Sequence, residues 1–215
     1  MERIDNNKEQ RLKGGDVARS ISNRPHQFRY RHTGKSSIII IPIVSSSRRD
    51  YIPMGLLPSD TIILSSAAAI YNSEVYVFSI ISSLIHMLWV RLTSGKLRGD
   101  IRYLSALSYN TFPFPTVTDD QKKHIEHLAE EILLTREDFA GETLAKLYDP
   151  DTMPEPLKIA HQNLDDAVDK LYHPKGFADT ASRLAHLLER YESLINTEKK
   201  QAIDKKAKKA KVKKE

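Results

Sequence analysis

The sequence predicts an α+β fold, in which a β-rich first half precedes a small all-helical second half and a basic tail. Three observations predict it. The β-branched apolar run SSIIIIPIV fills residues 36–44 and is typical of a buried strand. From residue 118 onward, apolar side chains recur every three or four positions, which indicates amphipathic helices. Residues 198–215 hold nine lysines and few large apolar side chains.

The first elements follow from local composition. Residues 1–24 are polar and contain Asn-Asn and Gly-Gly pairs, so we expect a flexible arm. Residues 36–44 predict a strand in which Pro42 marks a bulge or an edge, because proline cannot donate to a sheet ladder. The next segment predicts a turn and a short strand. A second apolar run follows in residues 61–71.

A long apolar helix is expected next. Residues 73–93 predict one helix ended by Gly95, with His86, Met87 and Trp89 on its buried side. The uncharged part of this segment, residues 75–90, is short for a membrane span, so we interpret it as a core helix and expect no membrane association.

The pattern of the second half predicts three helices. The first begins at Thr118 or Asp119, where acidic residues follow an N-cap side chain. Residues 149–156 form a turn-rich linker before LKIAHQNLDDAVDKLY. The stretch HPKGF predicts the end of that helix, and ASRLAHLLERYESLI predicts the next one.

The charge is unevenly distributed along the chain. Residues 1–110 carry a net charge of +7, residues 111–197 carry −8 and residues 198–215 carry +6. The first half is therefore the folded surface best suited to a polyanion. The tail fits either a solvated, frayed helix or a nonspecific DNA arm. The absence of cysteine excludes disulfides, thiolate zinc sites and cysteine nucleophiles, and is consistent with a cytoplasmic protein.

An alternating charge pattern is the first candidate site. Arg98, Asp100 and Arg102 occupy every second position, so on one strand their side chains would share a face. Arginine can bond guanine at O6 and N7, and aspartate can accept from cytosine N4. The same pattern also fits a surface ion pair, and the residues alone leave both interpretations open.

The second candidate site follows the first predicted strand. Hydroxyls and basic side chains there suit contacts to DNA phosphates, which position a protein without reading sequence. A solvated turn is the alternative. The residues concerned are Ser45, Ser46, Arg48 and Arg49, together with Lys96 near the alternating charges.

No catalytic or metal constellation emerges from the sequence. His124 and His127 flank Glu126, but a histidine pair on a helix without a third ligand favours an exposed helical face over a metal site. We therefore predict no catalytic residues and no metal in this chain.

Three stretches nevertheless resemble a known family: IPIVSSSRRDYIPMGLL, SSLIHMLWVRLTSGKLRGDIRYLSALSYNTFPFP and LAKLYDPDTMPEPLKIAHQNLDDAVDKLY. They are similar to the C-terminal part of the MmeI-like restriction–modification enzymes, adenine-specific DNA methyltransferases, over residues 25–195. The resemblance implies that residues 25–115 are the C-terminal portion of a DNA target recognition domain and that residues 116–197 are a C-terminal helical domain. It makes Arg98, Asp100 and Arg102 base-reading residues, with a phosphate contact as the alternative for Arg102. It assigns the segment of Tyr109, Asn110, Phe112, Pro113 and Phe114 to the junction between the domains.

The resemblance also implies what lies elsewhere. The family's methyltransferase uses a glycine-rich loop for S-adenosylmethionine and an Asn-Pro-Pro-aromatic motif, yet this sequence contains neither Gly-x-Gly nor Pro-Pro. We therefore expect a DNA-reading portion without a cofactor of its own, bound to double-stranded DNA. The chain could be a split-gene subunit beside a separate methyltransferase or nuclease chain, a truncated remnant or a fragment. The alternative function is a helical assembly fragment that reads no DNA.

Overall fold

The computed structural model describes the backbone of residues 2–212 and the side chains of residues 2–202. It confirms the α+β class. The first part contains α1 (Glu2–Lys13), α2 (Asp16–Arg19), β1 (Ile38–Pro42), β2 (Val44–Ser45), β3 (Gly55–Leu57), β4 (Ala67–Tyr71), α3 (Val75–Ile81), α4 (Leu84–Thr93), β5 (Gly95–Leu97), β6 (Asp100–Arg102) and α5 (Ser105–Ser108). The helical part contains α6 (Asp119–Glu137), α7 (Leu144–Leu147), α8 (Glu155–Tyr172) and α9 (Thr180–Val212).

The strands form two small antiparallel sheets. One has the order β3-β1-β4 and the other has the order β2-β6-β5. The apolar run predicted as one strand is divided after Pro42, and the chain passes between the sheets at Ile43. The Ile43 amide donates to the Ser66 carbonyl at 3.2 Å, while its own carbonyl accepts from the Tyr103 amide at 2.7 Å. Instead of the predicted bulge or edge, Pro42 marks the end of β1, the central strand of its sheet, where it pairs in register with Ala67.

The N-terminal segment differs from the flexible arm expected for residues 1–24. Helix α1 has acidic residues in its first turn and basic residues in its last, which suits the helix dipole. The Arg11 guanidinium donates to the carbonyls of Ile21, Arg24 and Gln27 at 3.0, 2.7 and 2.7 Å. A single arginine therefore ties α1 to the turn that follows α2, a long-range contact that composition does not reveal.

The predicted helix over residues 73–93 is two helices. Helices α3 and α4 meet at a bend of 65°. At the break, the Ser83 hydroxyl donates to the Ile80 carbonyl at 2.6 Å, and serine side chains that bond the backbone in this way favour helix ends. Among the described residues no single helix is long and apolar enough to cross a membrane, although α3 and α4 together meet the length and composition criteria across their bend.

The helical half agrees with its sequence pattern. Thr118 is the N-cap of α6 and forms a capping box with Gln121. Gly176 has a φ of 67° in the turn after α8, where HPKGF predicts the helix end. Helix α9 continues to Val212, so much of the predicted tail is helical. The tail's side chains beyond residue 202 lie outside the described part.

Two clusters of buried side chains form the core. One surrounds the first sheet and the buried faces of α3 and α4, and the other lies between these helices and α6, α8 and α9. Phe114 packs against both clusters, and Phe112 belongs to the second. The Phe-Pro segment therefore joins the sheet region to the helices, as predicted for this junction.

Candidate nucleic-acid interface

Arg98 lies at the tip of a β-hairpin. It connects β5 to β6 together with Gly99, and the two residues have φ values of 53° and 91°. Left-handed φ at both central positions is the signature of a type I′ turn, which matches the twist of a two-residue hairpin. The single-strand prediction for Arg98, Asp100 and Arg102 is therefore wrong, because the chain reverses at Arg98-Gly99 and only the last two share a strand.

The return strand presents its charges to the outside. Ile101 is buried between Asp100 and Arg102, so these neighbours point away from the core. The Asp100 carboxylate accepts from the Ser47 amide at 3.3 Å, and the Arg102 side chain is exposed. Lys96 pairs with Ile101 across the hairpin and is exposed as well. The hairpin thus combines one carboxylate with three cationic side chains at the surface.

The loop after β2 lies against this hairpin but uses its side chains differently from the prediction. Ser45 is only 2% exposed and accepts from the Arg49 guanidinium at 3.3 Å. A hydroxyl buried to this degree cannot reach a phosphate, which corrects the expectation for Ser45. Ser46 is half-buried, and its hydroxyl accepts from the Arg48 amide at 3.3 Å.

The two arginines of this loop contact the helical half. Arg48 forms a 2.6 Å ion pair with Asp151. Both side chains are largely exposed, Arg48 to 62% and Asp151 to 68%. Arg49 donates to the Ala145 carbonyl at 3.0 Å. Arg91 in α4 donates to the Arg49 carbonyl at 2.8 Å. The loop is therefore held by contacts to α4 and to the helical half, while the Arg48 side chain remains largely exposed to solvent.

A buried carboxylate in the helical half bonds Tyr51, which directly follows the loop. Asp165 in α8 accepts from the Tyr51 hydroxyl and from the Leu84 amide, each at 2.6 Å. The Leu84 amide is the first of α4, so Asp165 caps that helix from another element. Burial raises the pKa of Asp165 to about 7, although both hydrogen bonds act in the opposite direction. Burial likewise raises the pKa of Tyr51.

A second network of hydrogen bonds, centred on Arg136 and Tyr148, lies beside the contacts of Asp165. The Arg136 guanidinium donates to the Met54 carbonyl at 2.8 Å and to the Tyr148 hydroxyl. That hydroxyl also bonds His161 Nε2 at 2.7 Å, and the His161 ring stacks on Tyr51 at 4.1 Å. Burial, and then the positive charge of Arg136, lowers the pKa of His161 to about 3. The imidazole is therefore neutral at physiological pH.

His86 is a core residue, as predicted. Its Nε2 lies 3.2 Å from the Tyr103 hydroxyl, and burial lowers its pKa to about 3. His124 and His127 lie on the exposed face of α6, where His127 Nε2 is 3.4 Å from Glu131. Among the described residues no group of three or more histidine, aspartate or glutamate side chains could hold a metal ion.

The supporting residues Tyr51, Arg136 and Asp165 were absent from the sequence-based set. A signal for Asp165 exists: it lies one position after Leu164 and four after His161 and so falls on the apolar stripe of α8. A carboxylate on a buried stripe requires a hydrogen-bond partner. Tyr51 offers no comparable signal, because its partner is 114 positions away.

Two family descriptions match the chain in succession. "MmeI, target recognition domain" matches residues 1–116, and "MmeI, C-terminal domain" matches residues 117–199. The chain belongs to the MmeI family. The predicted resemblance is thereby confirmed, and the hairpin with its adjoining loop lies within the MmeI target recognition domain, whereas Arg136, Asp151 and Asp165 lie within the MmeI C-terminal domain.

Two known proteins are similar in sequence to this MmeI-family chain. DNA methyltransferase A of Bacillus subtilis (strain 168) is 42% identical over 194 residues, which cover 90% of this chain and 22% of that protein. A solved structure of the Type IIL restriction-modification enzyme MmeI in complex with DNA has a TM-score of 0.82 and 37% identity, covering 91% of this chain and 26% of that one. The chain thus spans about a quarter or less of each relative.

The strands of the described residues do not fit the glycine-rich loop that holds S-adenosylmethionine. All strand pairs of the described residues are antiparallel. None of these strands leads through a glycine turn into a helix, which is the arrangement that a glycine-rich cofactor loop requires.

Proposed function

We propose that this chain is the DNA-sequence recognition portion of an adenine-specific (N6) DNA methyltransferase or restriction–modification protein. The observation that carries the proposal is the exposed hairpin: a guanidinium at its tip and a carboxylate on its return strand, within a target recognition domain. An arginine–aspartate pair can read a G·C base pair from the major groove, because one bonds guanine and the other accepts from cytosine.

The proposed contacts fall into two groups. Arg98, Asp100 and Arg102 read base edges. Lys96 and the loop residues Ser46, Arg48 and Arg49 face the phosphates, and Arg48 exchanges Asp151 for a phosphate oxygen when DNA binds. Such an exchange costs little, because an exposed ion pair contributes about 1 kcal/mol or less. Residues 25–115 would then form the recognition unit and residues 116–197 its helical support.

Methyl transfer would require a further part. The methyltransferase with its S-adenosylmethionine would come either from the remainder of a longer chain or from a separate methyltransferase or nuclease chain. The recognition unit would then bring that part to its target adenine.

Selection from a randomised pool of duplex DNA, at two salt concentrations, tests the proposal. We expect one sequence motif to be enriched by the wild-type chain. Arg98→Asn keeps a favourable type I′ turn while removing the guanidinium, and Asp100→Asn keeps an acceptor for the Ser47 amide while removing the charge. Each variant should relax the preference at one base pair, a discrimination of about 1–3 kcal/mol.

Matched controls are Lys158→Asn and Asp166→Asn, which remove the same charges from the exposed face of α8. They should leave the motif unchanged. Equal enrichment by Arg98→Asn, Asp100→Asn and the controls would argue against base reading by the hairpin.

A helical assembly fragment is the second candidate. The charge of −8 over residues 111–197 supports it, since an acidic surface repels DNA and suits protein contacts. Duplex binding that is insensitive to salt, or absent, would favour this function.

A further inference from the structure

A second exposed surface combines cationic and aromatic side chains. Residues 28–35, FRYRHTGK, are called here the aromatic-basic strip. Phe28 is 54% exposed and Tyr30 is 64% exposed. Residues 17–49, which include the strip, contain seven lysines and arginines and no acidic residue. Large exposed rings within an acid-free segment indicate a negatively charged ligand that also offers a planar or apolar surface.

The rings of the strip form a row. Tyr30 stacks on His32 with centroids 6.2 Å apart and planes at 11°. His32 in turn meets the edge of Tyr71 at the end of β4, with centroids 6.4 Å apart. The Arg29 guanidinium lies 5.0 Å from the centre of the Tyr30 ring. The row therefore extends outward from the first sheet and carries a positive charge at its outer ring.

The strip is held at both ends and open between them. At one end, Arg11 donates to the Gln27 carbonyl. At the other, the Gly34 amide donates to the Ser59 carbonyl at 2.7 Å, and the Lys35 amide donates to the Asn72 side chain. Between these anchors, the backbone amides of residues 28–33 have no hydrogen-bond partner within the described part of the chain. The anchors limit the ordering entropy that binding would cost.

The cations of the strip are also available. Within residues 2–202, whose side chains the structure describes, Arg29, Arg31 and Lys35 form no salt bridge. This distinguishes them from Arg48 and Arg49, which already contact the helical half. Free guanidinium groups and free amides are the donors that phosphate oxygens accept from.

We propose that the aromatic-basic strip is a second DNA-contacting site, which binds the sugar–phosphate backbone with Arg29, Arg31 and Lys35 on phosphates and Tyr30 against a deoxyribose. The proposal rests on the proposed function and adds to it a contact that carries affinity rather than sequence preference.

The length of chain between the strip and the loop beside the hairpin limits how far apart the two sites can lie. From Lys35 to Ser47 the chain runs largely through β1 and β2. At roughly 3.3 Å per residue, these 12 steps span at most about 40 Å. One turn of B-DNA is about 34 Å long. The strip and the loop beside the hairpin therefore lie no farther apart than a little over one helical turn, and the proposal places both on a single duplex.

The test measures duplex affinity by fluorescence anisotropy as a function of salt, using the motif selected by the wild-type chain. Arg29→Ser/Arg31→Ser is compared with Lys158→Ser/Lys170→Ser, which removes two charges from the exposed face of α8. We expect the strip variant to bind about tenfold or more weakly at low salt, and its slope of log K against log salt to shrink by about 2. The control should change neither.

Tyr30→Ala measures the contribution of the Tyr30 ring to DNA affinity separately from that of the charged side chains. We expect a severalfold weaker affinity with an unchanged salt slope and an unchanged sequence motif, because a sugar contact is neither ionic nor sequence-specific. The urea midpoint of each variant, followed by the fluorescence of Trp89, verifies that the chain remains folded.

The two proposals can fail separately. If Arg98→Asn shifts the base preference while the strip variants bind like the control, the strip is not a DNA contact and the reading hairpin stands. If the strip variants lose affinity while no hairpin variant shifts the motif, the strip is confirmed as a backbone contact and base reading by the hairpin fails. A wild-type chain that binds no duplex overturns both proposals, and the exposed rings would then suit a protein partner.

Discussion

At the scale of single residues, Asp165 connects the recognition domain to the helical domain. Its two oxygens accept from the buried Tyr51 hydroxyl and from the part-buried first amide of α4. The same burial raises the pKa of Asp165 to about 7, well above the usual value of 3.8. The two hydrogen bonds favour the ionised carboxylate, but burial disfavours it more strongly, so the free energy of unfolding should depend on pH.

Proton linkage sets the direction in which the free energy of unfolding changes with pH. The folded state holds the Asp165 proton more tightly than the unfolded state, so its contribution is fully present below about pH 4 and is lost as pH rises through about 7. Between these values the free energy of unfolding of wild type should fall relative to Asp165→Asn. One pKa unit corresponds to about 1.4 kcal/mol, so a total difference of a few kcal/mol is expected.

Urea denaturation of both proteins at pH 4, 5, 6 and 7 measures this difference. His86 and His161 titrate in the opposite sense, because their pKa values are lowered, but they are present in both proteins and largely cancel. Asp166→Asn removes the exposed neighbouring carboxylate and is the matched control. Parallel stability curves for wild type and Asp165→Asn would contradict the prediction.

At the scale of elements, the hairpin depends on the conformation of its turn. Gly99 has a φ of 91°, and a Cβ atom placed there would meet no other atom within 4 Å. Gly99→Ala therefore introduces backbone strain without a steric clash. We expect it to destabilise the chain by about 1 kcal/mol and to weaken base discrimination, because Arg98 would be displaced from the tip.

Gly15→Ala is the control for this prediction. Gly15 also has open space around its Cβ position, but its φ is −69°, which alanine adopts freely. Chemical denaturation should show a change within about 0.5 kcal/mol for this variant. Equal stability of the two alanine variants would show that the left-handed turn is not required.

Two helices of the recognition domain receive caps from the helical domain. Asp165 in α8 accepts from the first amide of α4, and Glu126 in α6 accepts from the Tyr76 amide near the start of α3 at 3.0 Å. Unpaired amides at a helix N-terminus carry a partial positive charge, so a carboxylate is the favoured partner. Some of the acidic charge of the C-terminal domain thus serves the internal junction rather than a partner protein.

At the scale of the whole molecule, Phe114 joins the two core clusters. Its ring contacts Tyr109 and Phe112 edge to face, with centroids 5.5 and 5.0 Å away. Its carbonyl accepts from Arg190 in α9 at 3.1 Å. The junction therefore ties the recognition domain to α9, and the two halves should unfold together rather than in sequence.

Phe114→Ala tests this coupling. We expect a loss of about 2–3 kcal/mol, below the cost of a fully buried phenylalanine because the ring is half-buried, and a broader or biphasic transition. Phe28→Ala makes the same chemical change at an exposed ring and should leave the unfolding free energy nearly unchanged. Trp89 is the only tryptophan and is buried at the junction, so its fluorescence reports the transition. A sharp wild-type-like transition in Phe114→Ala would contradict the coupling.

The agreement between prediction and structure is best where the signal is local. The N-cap at Thr118 and the helix stop at HPKGF both follow from residues within a few positions of one another. The hairpin tip was missed although it carries a local signal: glycine at the second turn position suits a type I′ turn, and the alternating charges masked it.

The sequence by itself determined the α+β class, the family and the junction between the sheets and the helices, because these depend on periodicity, turn residues and ordered motifs. Only the tertiary structure decided which charges remain free. It buried Ser45, bonded Arg49 to Ser45 and to the helical half, left Arg98, Arg102 and the aromatic-basic strip exposed, and paired Asp165 with a tyrosine 114 positions away. The physical reason is that a charged side chain takes its role from its nearest partners, and in this protein those partners come from distant parts of the chain.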